Sequence, residues 1–225
     1  YNSANITGAS NPGFSTGDAI AIVQEEIKNL PSNYEVAFSG LSREEVKAGN
    51  QTVIIFLLVI VFVYFLLAAQ YESYLLPLAV IFSLPLGVFG AFFSTKMMGL
   101  ENNIYFQIAL IMLVGLLAKN AILIVEFAVQ RRRHGESLVD ASINGAKARL
   151  RPILMTSFAF ISGLMPLVLA KGVGAEGNNS IGTGAAGGML IGTVLGVFVI
   201  PILFILFQWL QEKVSSKPDV ETKKS

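Results

Sequence analysis

No cysteine occurs among the 225 residues, and histidine and tryptophan occur once each. The absence of cysteine excludes a disulfide framework, a thiolate metal site and a cysteine nucleophile. The single histidine, His134, sits in a basic stretch, so no histidine-based metal cluster forms within the chain, and no cofactor is expected. Charge is scarce as well. Asp, Glu, Lys and Arg make up 14% of the residues, against about a quarter in soluble domains. The deficit is concentrated in long runs, 53% of the residues are hydrophobic, and the mean hydropathy is +0.64. A soluble enzyme is thereby excluded and a lipid bilayer is implied as surroundings. The net charge of +1 gives no reason to expect a nucleic-acid partner. Residue 1 is Tyr, and no signal peptide precedes the first apolar run. The chain therefore reads as the C-terminal portion of a longer polypeptide.

Residues 1–48 have the character of a partial α+β subdomain. Ala4–Gly8 and Tyr34–Ser39 are predicted strands. Between them, Ser15-Thr16-Gly17-Asp18 resembles a helix start with an acidic residue at the third helical position. Ala19, Ile20, Val23, Ile27 and Leu30 then recur at helical spacing until Pro31 stops the run. Ser42-Arg43-Glu44-Glu45 is a second capping-box candidate. So small a piece needs partners to bury its apolar faces.

Residues 49–212 change character and contain five apolar runs, over 52–69, 75–97, 104–130, 152–170 and 183–210. Each is long enough to cross about 30 Å of hydrocarbon, and the fifth is longer than a span needs. The fold class is accordingly an α-helical membrane protein of five transmembrane helices preceded by the α+β piece. Pro77, Pro152 and Pro201 fall near span ends, whereas Pro85 is interior and predicts a kink. Gly135–Ala148 reads as a short helix between spans three and four. Arg131, Arg132, Arg133, Lys147, Arg149 and Arg151 cluster in that connection, and Lys213, Lys217, Lys223 and Lys224 follow span five. The excess of positive charge places this connection and the 213–225 tail, expected to be disordered, in the cytoplasm. Five crossings then put residues 1–48 on the other side, which in a bacterium is the periplasm.

Lys119 and Glu126 are the ionisable residues well inside the spans. Lys119 lies about 22 Å along a helix from Ile104 and about 15 Å from Val129, too central to reach either interface with ease. A lysine at that depth costs roughly 2.5–3.5 kcal/mol on the most lenient insertion scale. A carboxylate, a water path or loss of the proton must offset it. Glu126 is about 10 Å further along the axis, too far for a direct pair. The partner is therefore expected from a helix outside this sequence. Two readings stand side by side: an ion pair holding helices together, and a polar group on an ion or substrate path, which intramembrane charges tend to mark. Asn120 follows Lys119, and Gly115 leaves space on its face. Arg149 and Thr156, seven apart, share a face where span four begins, in the pattern expected at the mouth of a proton path. Ordinary positive-inside anchoring explains the arginine equally well, and a hydroxyl bonded back to its own helix explains the threonine.

Gly182-Thr183-Gly184-Ala185-Ala186-Gly187 matches a dinucleotide fingerprint in letters only, since no βαβ unit surrounds it and residue 207 is Phe where an acid belongs. The spacing of four in Gly184, Gly188, Gly192 and Gly196 instead makes a stripe on span five that lets another helix approach closely.

The run Gly115-Leu116-Leu117-Ala118-Lys119-Asn120-Ala121-Ile122-Leu123-Ile124-Val125-Glu126-Phe127 resembles the lysine-bearing helix of AcrB-type multidrug efflux pumps of the resistance–nodulation–division superfamily. Arg149-Leu150-Arg151-Pro152-Ile153-Leu154-Met155-Thr156-Ser157 resembles the following span, and Ala69–Ser73, Pro85–Val88 and Gly182–Gly184 also match. The resemblance implies the last fifth or so of a twelve-span, proton-coupled exporter of amphiphilic compounds in the bacterial inner membrane. It implies a homotrimer with a periplasmic adaptor and an outer-membrane channel as partners, and no cofactor beyond the coupling protons. Lys119 would match a lysine that pairs with two adjacent aspartates on a helix of the N-terminal half. Thr156 would match a relay threonine and Arg149 an arginine at the cytoplasmic proton entrance, with Asn120 beside them. Residues 1–48 would belong to a periplasmic porter domain. Two other classes remain open: a relative that moves lipid or protein, and a membrane scaffold that transports nothing.

Overall fold

The computed structural model describes residues 3–8, 14–31, 34–48, 51–172 and 174–214. Two short helices come first, α1 (Thr16–Ile27) and α2 (Gly40–Ala48). Ser15 caps α1 by accepting from the Asp18 amide, and Asp18 bonds back to the Ser15 amide, which completes the expected capping box. The Asp18 carboxyl is held below its ordinary pKa by the bonds from the Ser15 hydroxyl and amide. Thr16 donates to Glu45 and ties α1 to α2.

Two expectations fail in this region. Residues 4–8 and 34–39 form no strand, and no strand occurs among the described residues, so the α+β character is not seen. An isolated extended segment has nothing to pair its N–H and C=O groups with, and Ile6, Tyr34 and Val36 are left 92%, 66% and 43% exposed. The second capping box also fails, because α2 already begins at Gly40, two residues before Ser42.

The remaining helices are α3 (Gln51–Tyr71), α4 (Leu76–Ile81), α5 (Leu84–Met97), α6 (Ile104–Arg133), α7 (Leu138–Val168) and α8 (Ala175–Val214). With α4 and α5 taken together, they give five helical segments long and apolar enough to cross a membrane. The break between α4 and α5 is the kink expected at Pro85. Proline has no N–H for the Ile81 carbonyl, and the Ser83 hydroxyl donates instead to the neighbouring Val80 carbonyl at 2.6 Å. The short helix expected over 135–148 is not separate. It is the first part of α7, which starts at the Ser137 cap and runs on through Pro152. A helix already formed on both sides accommodates a proline at the loss of one backbone bond. Lys213 and Val214 close α8, while residues 215–225 of the expected tail lie outside the described residues.

Helix α8, roughly 60 Å long at 1.5 Å per residue, packs against α4, α5, α6 and α7. Glycines make this possible. A Cβ on Gly192 would stand 2.9 Å from the Gly87 Cα of α5, and one on Gly184 would stand 2.8 Å from the Phe106 ring of α6. Gly188 faces Leu113, Ala91 and the Gly87 carbonyl, whereas Gly196 meets only Ile200 of its own helix. Helices α6 and α7 meet the same way, with Gly145 against the backbone of Ala128. Lipid tails are as apolar as leucine, so close packing of this kind, and not escape from water, holds helices together in a bilayer.

The turn between α6 and α7 is clasped by Glu136. Its carboxylate accepts from Asn144 Nδ2 at 3.0 Å and from Arg131 Nη1 at 2.8 Å, and its carbonyl accepts from Arg132. The bond from Asn144 and the Arg131 guanidinium hold the Glu136 carboxyl below the ordinary range for glutamate, against the effect of partial burial.

Gly145→Ala should destabilise the protein by about 1–3 kcal/mol, because its new methyl meets backbone, whereas Gly163→Ala, with nothing within 4 Å, should carry no packing cost; thermal unfolding in detergent compares them. The Glu136 clasp should respond to pH. A carboxyl whose folded pKa is depressed contributes stability above its unfolded pKa and loses it as pH falls through the folded one. Glu136→Gln should therefore lower Tm near neutrality and flatten the loss of Tm below about pH 4.5, a change visible in unfolding scans across that range.

Candidate functional site

Helix α6 carries the intramembrane lysine near its middle. Asn103 starts the helix by accepting from the Phe106 amide, and its Nδ2 donates to Ser180 of α8 at 2.9 Å, so the helix is pinned at its first turn. Arg131, Arg132 and Arg133 close it, where positive charge complements the exposed carbonyls of the last turn. Between these ends, Phe106, Leu113, Leu117, Ala121, Ile124 and Ala128 recur at helical spacing and are buried. Lys119 lies on the opposite face and is exposed. Neither a carboxylate nor any hydrogen-bond acceptor among the described residues reaches its ammonium. Gly115, one turn earlier on that face, has nothing within 4 Å of where its Cβ would stand.

The four polar residues singled out from the sequence do not form one cluster. Asn120, next in sequence to Lys119, points inward, is 6% exposed, and leaves its Nδ2 without a hydrogen-bond partner. Thr156 is on the exposed face of α7, and its hydroxyl donates to the Ile153 carbonyl of its own helix at 3.0 Å. Arg149, half-buried, lies with its guanidinium carbon 3.7 Å from the centre of the Phe127 ring of α6. Such cation–π stacking fixes its plane, while its Nε is buried without a partner. Arg149 is thus seated on the α6–α7 seam.

Glu126 lines a cleft of about 110 Å3 between α3 and α6 together with Gln70, Tyr71, Gln130 and Arg133. Arg131 and Arg132 turn away from it. Arg132 grips Glu212 of α8 in bidentate fashion, Nε to Oε1 at 2.8 Å and Nη2 to Oε2 at 2.9 Å. Gln208 also donates to Glu212. With Ser73 donating to Gln211 at 2.6 Å, the end of α8 is tied to both α6 and the α3–α4 turn. Sequence reasoning missed this clasp. Its partners lie 80 and 138 residues apart, and no local pattern announces such a pairing. It also missed the buried hydroxyl pair Ser157–Thr193 at 3.0 Å, for which two polar residues inside apolar runs were the one available signal.

Comparison with known proteins gives these features a context. Residues 1–208 match the AcrB/AcrD/AcrF family. The toluene efflux pump membrane transporter TtgB of Pseudomonas putida is 46% identical over 215 residues, covering 96% of this chain and 20% of the relative. The solvent-resistant pump membrane transporter SrpB of Pseudomonas putida is 44% identical over 94% of the chain and 21% of the relative. The multidrug resistance protein MdtF of Escherichia coli is 43% identical over 92% of the chain and 20% of the relative. The chain spans about a fifth of the length of these curated relatives. With a family match across nearly its whole length and five helical segments long and apolar enough to cross a membrane, the chain belongs to the AcrB/AcrD/AcrF family of efflux transporters, which are not enzymes.

Proposed function

We propose that this chain is part of a proton-driven exporter of amphiphilic compounds in a bacterial inner membrane, and that Lys119 is the cationic half of its proton relay. The observation that carries this reading is the position of Lys119. It stands midway along α6, on a face that no described element covers, with no anion beside it. A charge costing several kcal/mol at that depth calls for a partner, and the open surface at Gly115 gives a further helix room to approach. Two adjacent aspartates on that helix would meet the ammonium. Protonating them would release it and free the helices to shift, which couples proton flow to movement.

Arg149 and Thr156 have lesser parts in this reading. Arg149, stacked at the arginine-bearing end of the α6–α7 seam, would face protons arriving from the cytoplasm. Thr156, on the exposed face of α7, would exchange its bond to Ile153 for one to the relay. Residues 1–48 would lie in the periplasm as a portion of a porter domain and residues 213–225 in the cytoplasm. The working assembly would be a homotrimer joined to a periplasmic adaptor and an outer-membrane channel. The names of the relatives, which speak of toluene, solvents and multiple drugs, favour small amphiphiles over lipid or protein as cargo.

In the full-length pump, Lys119→Ala should reduce the minimal inhibitory concentration of exported drugs to that of a strain without the pump, with expression and trimer assembly unchanged. Retained resistance would refute the role. Gly115→Leu fills space that is open within this chain. It should lower resistance as well, since its side chain would collide with the helix that carries the carboxylates, and a fully resistant Gly115→Leu strain would argue against a helix seated there.

A further inference from the structure

We propose that Asn120 anchors a single buried water that joins α6 to α5 and α8 on the buried side of α6, about 100° round the helix from Lys119. Asn120 Nδ2 is fully enclosed, yet no protein acceptor reaches it. A buried amide donor left unpaired costs about 1–3 kcal/mol, and native interiors rarely tolerate one unless a water satisfies it.

The surroundings suit a water. Asn120 borders a small, partly open niche of about 10 Å3, where Ser83, Thr193 and Val197 stand among apolar neighbours such as Leu117 and Ile124; its volume is about the space one water centre requires. Ser83, Thr193 and Val197 each have hydrogen-bonding capacity left over. Pro201 has no N–H, so the Val197 carbonyl, four residues earlier in α8, lacks its helical donor. The Ser83 hydroxyl gives its proton to the Val80 carbonyl and offers the niche only lone pairs. Ser157 and Thr193 share one hydrogen bond at 3.0 Å. If Ser157 donates, the Thr193 proton is free to enter the niche. A water placed there accepts from Asn120 Nδ2 and Thr193 Oγ1 and donates to the Val197 carbonyl and Ser83 Oγ. That is a full set of four bonds, within the two to four that buried waters make.

The consequence is mechanical. Asn103–Ser180 and Arg132–Glu212 bond α6 to α8 near its two ends, while Leu117, Ala121 and Ile124 give the middle of this face its shape but no directional bond. A water bonded to Asn120 and to α8 adds a directional tie in that middle stretch, at the residue after Lys119. The site concerns the inward face only and stands whether or not Lys119 serves a relay.

Two measurements on the intact pump test it. A structure at a resolution that shows ordered solvent should reveal a density peak within hydrogen-bond distance of both Asn120 Nδ2 and the Val197 carbonyl. No peak there, or Nδ2 bonded directly to a protein acceptor, overturns the proposal. The second is a double-mutant cycle read by Tm in detergent. Asn120→Leu should lower Tm, because it removes the anchor and leaves the Val197 carbonyl without a partner. Pro201→Ala restores an N–H for that carbonyl, so in its background the loss caused by Asn120→Leu should fall to about half or less. A raised Tm for Asn120→Leu, or an equal loss in both backgrounds, counts against the water.

Discussion

Where α5 crosses α8, glycines on both helices let the backbones come close, with Ile191 of α8 and Ser94 of α5 filling the room beside them. Gly87 and Gly90 on one side meet Gly187, Gly188 and Gly192 on the other, with backbone against backbone. The rest of the bundle depends on that crossing. It draws α8 into the centre, where it also touches α4, α6 and α7. It also decides which face of α6 is buried, because Leu113 and Leu117 fill the space left beside Gly188 and Gly192. In a bilayer there is no hydrophobic gain in turning leucines inward, so the fit between bare backbone and bulky neighbour does the discriminating. Once α6 is seated with its leucines against α8, the helical period leaves Lys119 no choice but the outer face.

Polar groups within the hydrocarbon depth need partners inside the protein; Ser83 and Thr95 find them on carbonyls three and four residues earlier, and several others find them on other helices. Ser157 meets Thr193, Asn103 meets Ser180, and Ser142 reaches the Pro201 carbonyl. These bonds link α7 and α6 to α8 at several depths, and the bidentate Arg132–Glu212 pair closes one end. Two adjacent polar side chains of α6 differ from these and from each other. Asn120 is buried without a protein partner, and Lys119 is exposed without an anion. Their difference in surroundings calls for different partners: a small molecule for the amide, and another helix for the ammonium.

Much of the architecture was legible from composition, because a run of twenty apolar residues has few alternatives to a spanning helix. The five spans, the kink at Pro85 and the capping box at Ser15 each rest on a local physical rule, and each is present. The failures come from rules that need a second element. Tyr34–Ser39 alternates as a strand does, but alternation makes a strand only where another edge pairs with it, and none is described. Pro152 looked like a boundary, yet the packing of α7 on α6 and α8 carries the helix through it. The site was half legible. The depth of Lys119 follows from counting residues, whereas the inward turn of Asn120 follows from its place in the helical period and was obscured by its adjacency in sequence. One step along a helix is a rotation of about 100°, which suffices to place two neighbours in unrelated surroundings.

That rotation has a further meaning if Lys119 takes the proton-responsive role proposed for it. An ammonium paired within its own bundle would be locked by the same packing that holds the bundle together, and releasing it would disturb many contacts at once. An ammonium on the outer face, with Gly115 open beside it, can exchange its partner while the inner face stays seated on α8. The rigidity of the glycine-packed interior and the freedom of the outer face are then complementary. On the proposed reading, the interior would give the lysine a fixed base, and the outer face would limit any movement to the surface between this bundle and a helix bearing the carboxylates. On the reading proposed here, a proton acts on that one surface, and the five-helix unit responds as a rigid body.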